Sequence, residues 1–255
     1  MDKIKELFKP FGKINRRMAA VICVAQIAFV LVLFQVFHSP IVPPPLEIAK
    51  SLVGLIQTQE LWDNLLTSLG ITIQAMLYSI LCTMLLVYLS TLPFFKSIAQ
   101  FVSKLRYLTI TGLVFLFIAF TNNMGTLKLS LLMFGIVPFF TTSFLSVVCS
   151  IPQQQIDKAF VNRMNSWETL WEVIVVGRLD QLFEVMRQNF AISWMMITTV
   201  EAYDMSDGGI GTLFIKSNRV HNLPDIFAML VIVLSLGLFF DWFLSYCRRL
   251  LFKYI

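Results

Sequence analysis

Six long apolar runs, at about 18–38, 67–92, 105–122, 127–149, 188–203 and 226–246, dominate this chain and limit what it can become. A helix needs roughly 20 apolar residues to cross a hydrocarbon core of about 30 Å. Lipid offers no partner to backbone N–H and C=O groups, so spans of this length must be helices that satisfy those groups internally. The expectation is an all-α membrane protein with about six transmembrane helices. The fifth run is the weakest: its apolar part covers only 190–200, so it must borrow flanking residues and lie against other helices, not lipid.

Charge placement tests that reading independently, because Lys and Arg collect in cytoplasmic loops. Of the 20 Lys and Arg, all but four fall on one side of a six-span chain. They are Lys3, Lys5, Lys9, Lys13, Arg16 and Arg17 before the first run; Lys96, Lys104 and Arg106; Lys158, Arg163, Arg178 and Arg187; and Arg248, Arg249 and Lys253 at the end. Lys50, Lys128, Lys216 and Arg219 fall on the other side. Both termini are therefore expected in the cytoplasm, in a multi-pass protein of the bacterial inner membrane. Composition agrees, with 57% apolar residues and a mean hydropathy of +0.77. The basic residues flank apolar runs and do not interleave with exposed aromatics, so their partner is the lipid surface and no nucleic acid is expected. The first run ends at Phe37-His38-Ser39-Pro40 without a small-residue cleavage site, and is expected to be a retained helix.

Metal and redox chemistry find little purchase. Cys23, Cys82, Cys149 and Cys247 show no CxxC pairing and read as small buried hydrophobes. His38 and His221 are far apart with no third ligand evident, so neither a metal nor a cofactor is expected.

Residues 1–65 form a first unit: an N-terminal segment, the first helix and an outer loop. Residues 66–255 form the core. In the outer loop, Pro43-Pro44-Pro45 favours extended chain, and an amphipathic piece over 46–61 follows, expected at the membrane surface. The inner segment 151–187 is the longest cytoplasmic feature. Ile156, Ala159, Phe160 and Met164 share helical spacing there, with Asp157, Lys158, Asn162 and Arg163 on other faces. Asn165-Ser166 offers a cap for a second helix, where Trp167, Leu170, Trp171 and Ile174 form an aromatic stripe. Two readings stay open: a protruding turn that docks into a cytoplasmic partner, or a linker whose aromatics rest among lipid headgroups.

Four further features carry candidate roles. Glu201, an ionisable group at membrane depth, reads either as a gate or helix-positioning residue bonding across the bundle or as an interfacial acid beside Tyr203 and Asp204. Gly208, Gly209 and Gly211 mark a tight turn. Pro138 interrupts the fourth run, either as a kink lining the pathway or as ordinary packing. Asp241, before Arg248-Arg249, reads as a structural anchor.

Taken in order, several pieces resemble the permease subunit of ATP-binding-cassette importers, in particular the nitrate, sulfonate and taurine group. They are Pro-Pro-Leu-Glu-Ile from Pro44, Glu60-Leu61-Trp62, Ser68-Leu69, the inner loop, Arg187, Trp194, Glu201, Gly208-Gly209-Ile210-Gly211, and Asp241 before Arg248-Arg249. The likeness covers about 40–250. At the family's EAA loop, Asp157-Lys158-Ala159 takes the first triplet, Arg163 stands where glycine is expected and Val176 where proline is expected. Since Arg163 lacks glycine's freedom, the bend is expected to move to Asn165-Ser166.

The resemblance implies the bundle of a type I importer permease. It also implies a homodimer around a central path, two cytoplasmic ATPase subunits and an extracytoplasmic substrate-binding protein. Asp157, Ala159, Phe160, Arg163, Met164, Asn165, Ser166, Trp167 and Trp171 would then make the ATPase contact. No G-x-x-x-x-G-K-[ST] loop occurs, so this chain is not expected to be an enzyme. A stand-alone channel or secondary carrier is the rival reading, although neither internal repeats nor midplane charges are clear. A non-transporting scaffold is another. An intramembrane enzyme lacks its Ser/Lys, aspartyl or His/Glu set.

Overall fold

A computed structural model describes residues 16–36, 43–121 and 124–252. All regular structure among them is helical. The helices are α1 (Arg16–Val36), α2 (Pro45–Gln57), α3 (Gln59–Leu89), α4 (Pro93–Lys104), α5 (Ile110–Phe120), α6 (Met124–Cys149), α7 (Gln153–Val161), α8 (Ser166–Thr169), α9 (Leu179–Tyr203), α10 (Ile210–Arg219) and α11 (Leu223–Leu251). Lys3, Lys5, Lys9, Lys13, His38 and Lys253 lie outside the described residues.

Among the described residues, three helices are long and apolar enough to cross a membrane: α3, α6 from Thr126 onward, and α11. The first run forms α1 as one 21-residue helix. The run at 105–122 does not form the straight span expected of it. Leu105–Tyr107 closes α4 as a 3-10 turn, Leu108 and Thr109 are extended, and α5 leaves at 111° to α4. With 11 residues, α5 is only about 16 Å long. The two pieces make a fourth crossing only if the bent pair counts as one.

The fifth run begins earlier than expected, at Leu179, so α9 takes in Asp180, Glu184 and Arg187. Its inward face is buried at Phe190, Trp194, Ile197 and Val200, in keeping with a helix covered by its neighbours. The piece expected over 46–61 is divided. Pro44 and Pro45 open α2, and Thr58 breaks it with extended backbone (φ −85°, ψ 131°), so Glu60 and Leu61 belong to α3.

The core lies where α3 and α9 pack on α6. Small residues on α3 (Ser68, Thr72, Ala75, Ser79, Thr83) recur at three- to four-residue steps and are fully buried, which lets the backbones approach closely. From α6, Leu131, Leu132, Ile136, Phe140 and Phe144 fill the contact. Pro138 is buried within this continuous helix, where Thr141 and Thr142 donate to the carbonyls of Val137 and Pro138. α11 differs: only 11% of its most apolar window is buried, against 39% and 44% for α3 and α6, so most of its surface faces outward.

Candidate functional site

The described residues with chemical potential gather at two ends of α9. With 25 residues, that helix spans about 37 Å.

At its C-terminal end Glu201 is fully buried. Ser68, from the first turns of α3, donates its hydroxyl to the carboxylate (2.7 Å to Oε1, 2.9 Å to Oε2). The Gly211 N–H donates to Oε2 at 2.9 Å, and the Ile210 N–H to Ser68 Oγ at 2.9 Å. Ile210 and Gly211 open α10, so the carboxylate also sits against the positive end of that helix. Asn64 Oδ1 accepts the Gly209 N–H at 2.6 Å. One acid thereby ties α3, α9 and α10 together.

Glycine is obligatory in this arrangement for two reasons. Gly208 and Gly209 have φ of +76° and +111°, which side chains rarely adopt. At Gly209 a Cβ would lie 2.2 Å from Glu201 Cδ, and at Gly211 it would lie 2.2 Å from the Thr198 carbonyl oxygen. The turn is held on its other side by Lys128 of α6, whose ammonium lies 3.2 Å from the Gly208 carbonyl oxygen and 3.9 Å from the Asp207 carboxylate. Lys128 is 1% exposed. The sequence set it on the outer side at the margin of the fourth run, and the structure buries it within α6. The signal that could have found it is a lone cation between Leu127 and Leu129 at the edge of an apolar run. Asn64 carried no such signal.

At the other end, α7, α8 and the chain into α9 form an elbow. Its bend is at Arg163, not at Asn165-Ser166 as expected. Arg163 adopts φ +59°, and the Arg163 and Met164 N–H groups donate to the carbonyls of Phe160 and Ala159, at 3.0 and 3.1 Å. These are the two bonds of a left-handed helix C-terminus, so arginine occupies the conformation glycine would take at less cost. Asn165 instead begins α8 in a capping box: its side chain accepts from the Glu168 N–H, and its own N–H donates to Glu168 Oε2 at 2.8 Å.

The expected second helix is not uniformly α. After one turn of α8 the chain widens into a π-helical segment, Leu170–Val175, then tightens to 3-10 over Val176–Arg178. The extra residue per turn rotates the stripe apart. Trp167 and Trp171 are 68% and 59% exposed, while Leu170 and Ile174 turn partly inward. They line a cleft of about 310 Å³ with Thr91, Leu92, Ile156 and Phe160. Ala159 is buried, and Phe160 and Val161 are exposed. Arg178 donates to Gln155 Oε1 at 2.8 Å and closes the elbow's base.

Just above that base, Glu184 accepts from Arg187 (2.6 Å) and from Arg248 (2.7 Å), and Arg187 also pairs with Asp241. The hydrogen bond from Arg187 holds the Glu184 carboxyl below its ordinary range. Asp241 joins α11 to α9. Higher on the same pair, Trp194 Nε1 donates to the Val233 carbonyl at 3.0 Å. His221 takes φ +55° between α10 and α11, ending α10 as Arg163 ends α7.

The coupling residues expected from sequence therefore lie together in the elbow. Glu201 and the glycines lie together at the far end of α9. Pro138 joins neither group. The model of a family described as "Binding-protein-dependent transport system inner membrane component" matches residues 50–253. No curated protein matches the chain.

Proposed function

The chain belongs to the family of binding-protein-dependent transport inner membrane components, and we propose that it is the permease subunit of an ATP-binding-cassette importer for a small solute. Residues 66–255 supply the transport core, to which 1–65 adds the first helix and the outer segment. Two copies enclose the path, cytoplasmic ATPases dock on the elbow, and a separate binding protein delivers and selects the solute. The order of short motifs favours the nitrate, sulfonate and taurine type.

One observation carries this reading: the elbow runs through a π turn and a 3-10 turn, with Arg178 off helical backbone (φ −125°, ψ 14°), directly into α9, whose far end holds Glu201. A helix moves as a stiff rod. Work done on Phe160, Val161, Trp167 and Trp171 by a partner reaches the carboxylate, and a shift of about 1 Å takes hydrogen bonds of 2.7–2.9 Å beyond useful length. Opening the turn between α9 and α10 is then the gating step, and the chain itself hydrolyses nothing.

The test is a single cysteine at Val161, 82% exposed, in a background lacking Cys23, Cys82, Cys149 and Cys247. Asn165 is unsuitable because its side chain caps α8. Crosslinking to the co-expressed ATPase should occur and should change in yield when ATP is trapped unhydrolysed. A complex that assembles and transports without any crosslink from Val161 or Trp167 would refute the docking site. Failure of the chain to co-purify with any ATPase would refute the importer.

A further inference from the structure

Where α9 begins and α11 ends, a cleft of about 300 Å³ opens between Glu184, Arg187, Ser245, Arg248, Arg249 and Phe252. It holds three guanidinium groups against one carboxylate. Two of the three are already engaged, Arg187 by Glu184 and Asp241 and Arg248 by Glu184. Arg249 is exposed and has no ion pair among the described residues. Even with Asp241 counted, the cluster carries an excess of one positive charge.

The cleft continues into an apolar surface. On the outward side of α11, Phe239 stacks on Phe243 at 6.3 Å and Trp242 on Tyr246 at 5.8 Å, and all four are exposed. Leu230, Leu234 and Leu238 extend the same exposed strip along the helix. Because α11 is long and apolar enough to cross a membrane, this strip lies against acyl chains and brings lipid headgroups to the guanidinium groups. A phospholipid matches both: its phosphate meets arginines at helix ends, its interface meets Trp and Tyr, and its chains lie along the leucines.

We propose that this cleft is a binding site for the phosphate headgroup of an anionic phospholipid, with Arg249 as its free anion-contacting residue and Arg248 and Arg187 held in place by Glu184. Arg and Ser donors surround a phosphate, and the Trp242–Tyr246 face takes the glycerol and upper acyl region. By clamping the start of α9 to the end of α11, a bound lipid stiffens the base from which the elbow projects.

The experiment uses the purified full chain in nanodiscs of phosphatidylcholine doped with phosphatidylglycerol, and native mass spectrometry of lipid retained on release into mild detergent. Phosphatidylglycerol should be enriched over phosphatidylcholine. R249Q, which leaves the Glu184–Arg187–Asp241–Arg248 pairs intact, should reduce that enrichment about five-fold, the worth of one arginine at a lipid surface. Equal retention of both lipids by the wild type would overturn the proposal without reference to any variant. So would an R249Q enrichment equal to wild type. Displacement of phosphatidylglycerol by millimolar inorganic phosphate would assign the cleft to a free anion and overturn the lipid reading.

Discussion

Replacing Gly211 by alanine should loosen the junction of α3, α9 and α10 more than any other single methyl group on α10. The added Cβ would sit 2.2 Å from the Thr198 carbonyl oxygen, 2.7 Å from Glu201 Cβ and 2.9 Å from the Ala202 nitrogen. Two of these are backbone atoms of α9 and cannot rotate away. Ordinary contact begins near 3.4 Å, so α10 must retreat by more than 1 Å. The Gly211 and Ile210 N–H bonds, to Glu201 and Ser68, then lengthen past usefulness. A hydrogen bond to a charged group contributes about 1.5–3 kcal/mol, and a buried carboxylate stripped of partners costs about 3–5 kcal/mol. A loss of about 4 kcal/mol lowers the melting temperature of a chain this size by roughly 10 °C. The assay is thermal unfolding of the purified protein in detergent, with Gly70→Ala as control. Gly70 has open space around its Cβ position and lies in the interior of α3, so alanine there should be neutral or stabilise by about 0.5–1 kcal/mol. If Gly211→Ala melts within about 2 °C of wild type while Gly70→Ala behaves as stated, the close approach of α10 to α9 does not constrain the fold.

Three other outcomes are expected. Arg163→Gly should stabilise the elbow by about 1 kcal/mol, because a left-handed arginine costs about 1–2 kcal/mol and glycine returns part of that as unfolded-chain entropy; slower hydrogen exchange over 153–169 would register it, and unchanged or faster exchange would count against it. Glu201→Ala should cut transport sharply while the protein still inserts, whereas Glu201→Gln, which keeps an oxygen for the Gly211 N–H, should retain more activity; equal loss in both would show that charge, not hydrogen bonding, matters in the lock. The Glu184 carboxyl lies below its ordinary value through the Arg187 hydrogen bond, so its stabilisation is complete above a normal carboxylate pKa of about 4.3 and is lost as pH falls through the lower folded value. Melting temperature should therefore decline on acidification from about pH 5, and Glu184→Gln should flatten that decline.

Membrane character, helical class and the short helices within 151–187 were legible in the linear chain, because each depends on local pattern. Apolar length sets a span, and a polar residue followed by Glu three places on sets a helix start, as Asn165 and Glu168 show. Features that needed two distant segments to meet were less legible. Nothing adjacent to Glu201 announces that Ser68, 133 residues away, will hold its carboxylate. The burial of Lys128 was not legible either, because it depends on where the Gly208 turn packs, and no window around Lys128 encodes that turn.

The bend at 105–122 and the left-handed Arg163 belong to the same class. Apolar composition favours a straight span in the first case and residue type disfavours the observed dihedral in the second, yet packing outweighs a local preference of about 1–2 kcal/mol. By itself, then, the amino-acid order determined that this chain enters lipid as helices and that short helices occupy 151–187, while packing placed the turn between them at Arg163. Tertiary structure alone decided which buried charges face each other, since a hydrogen bond acts over about 3 Å of space whatever the distance along the chain.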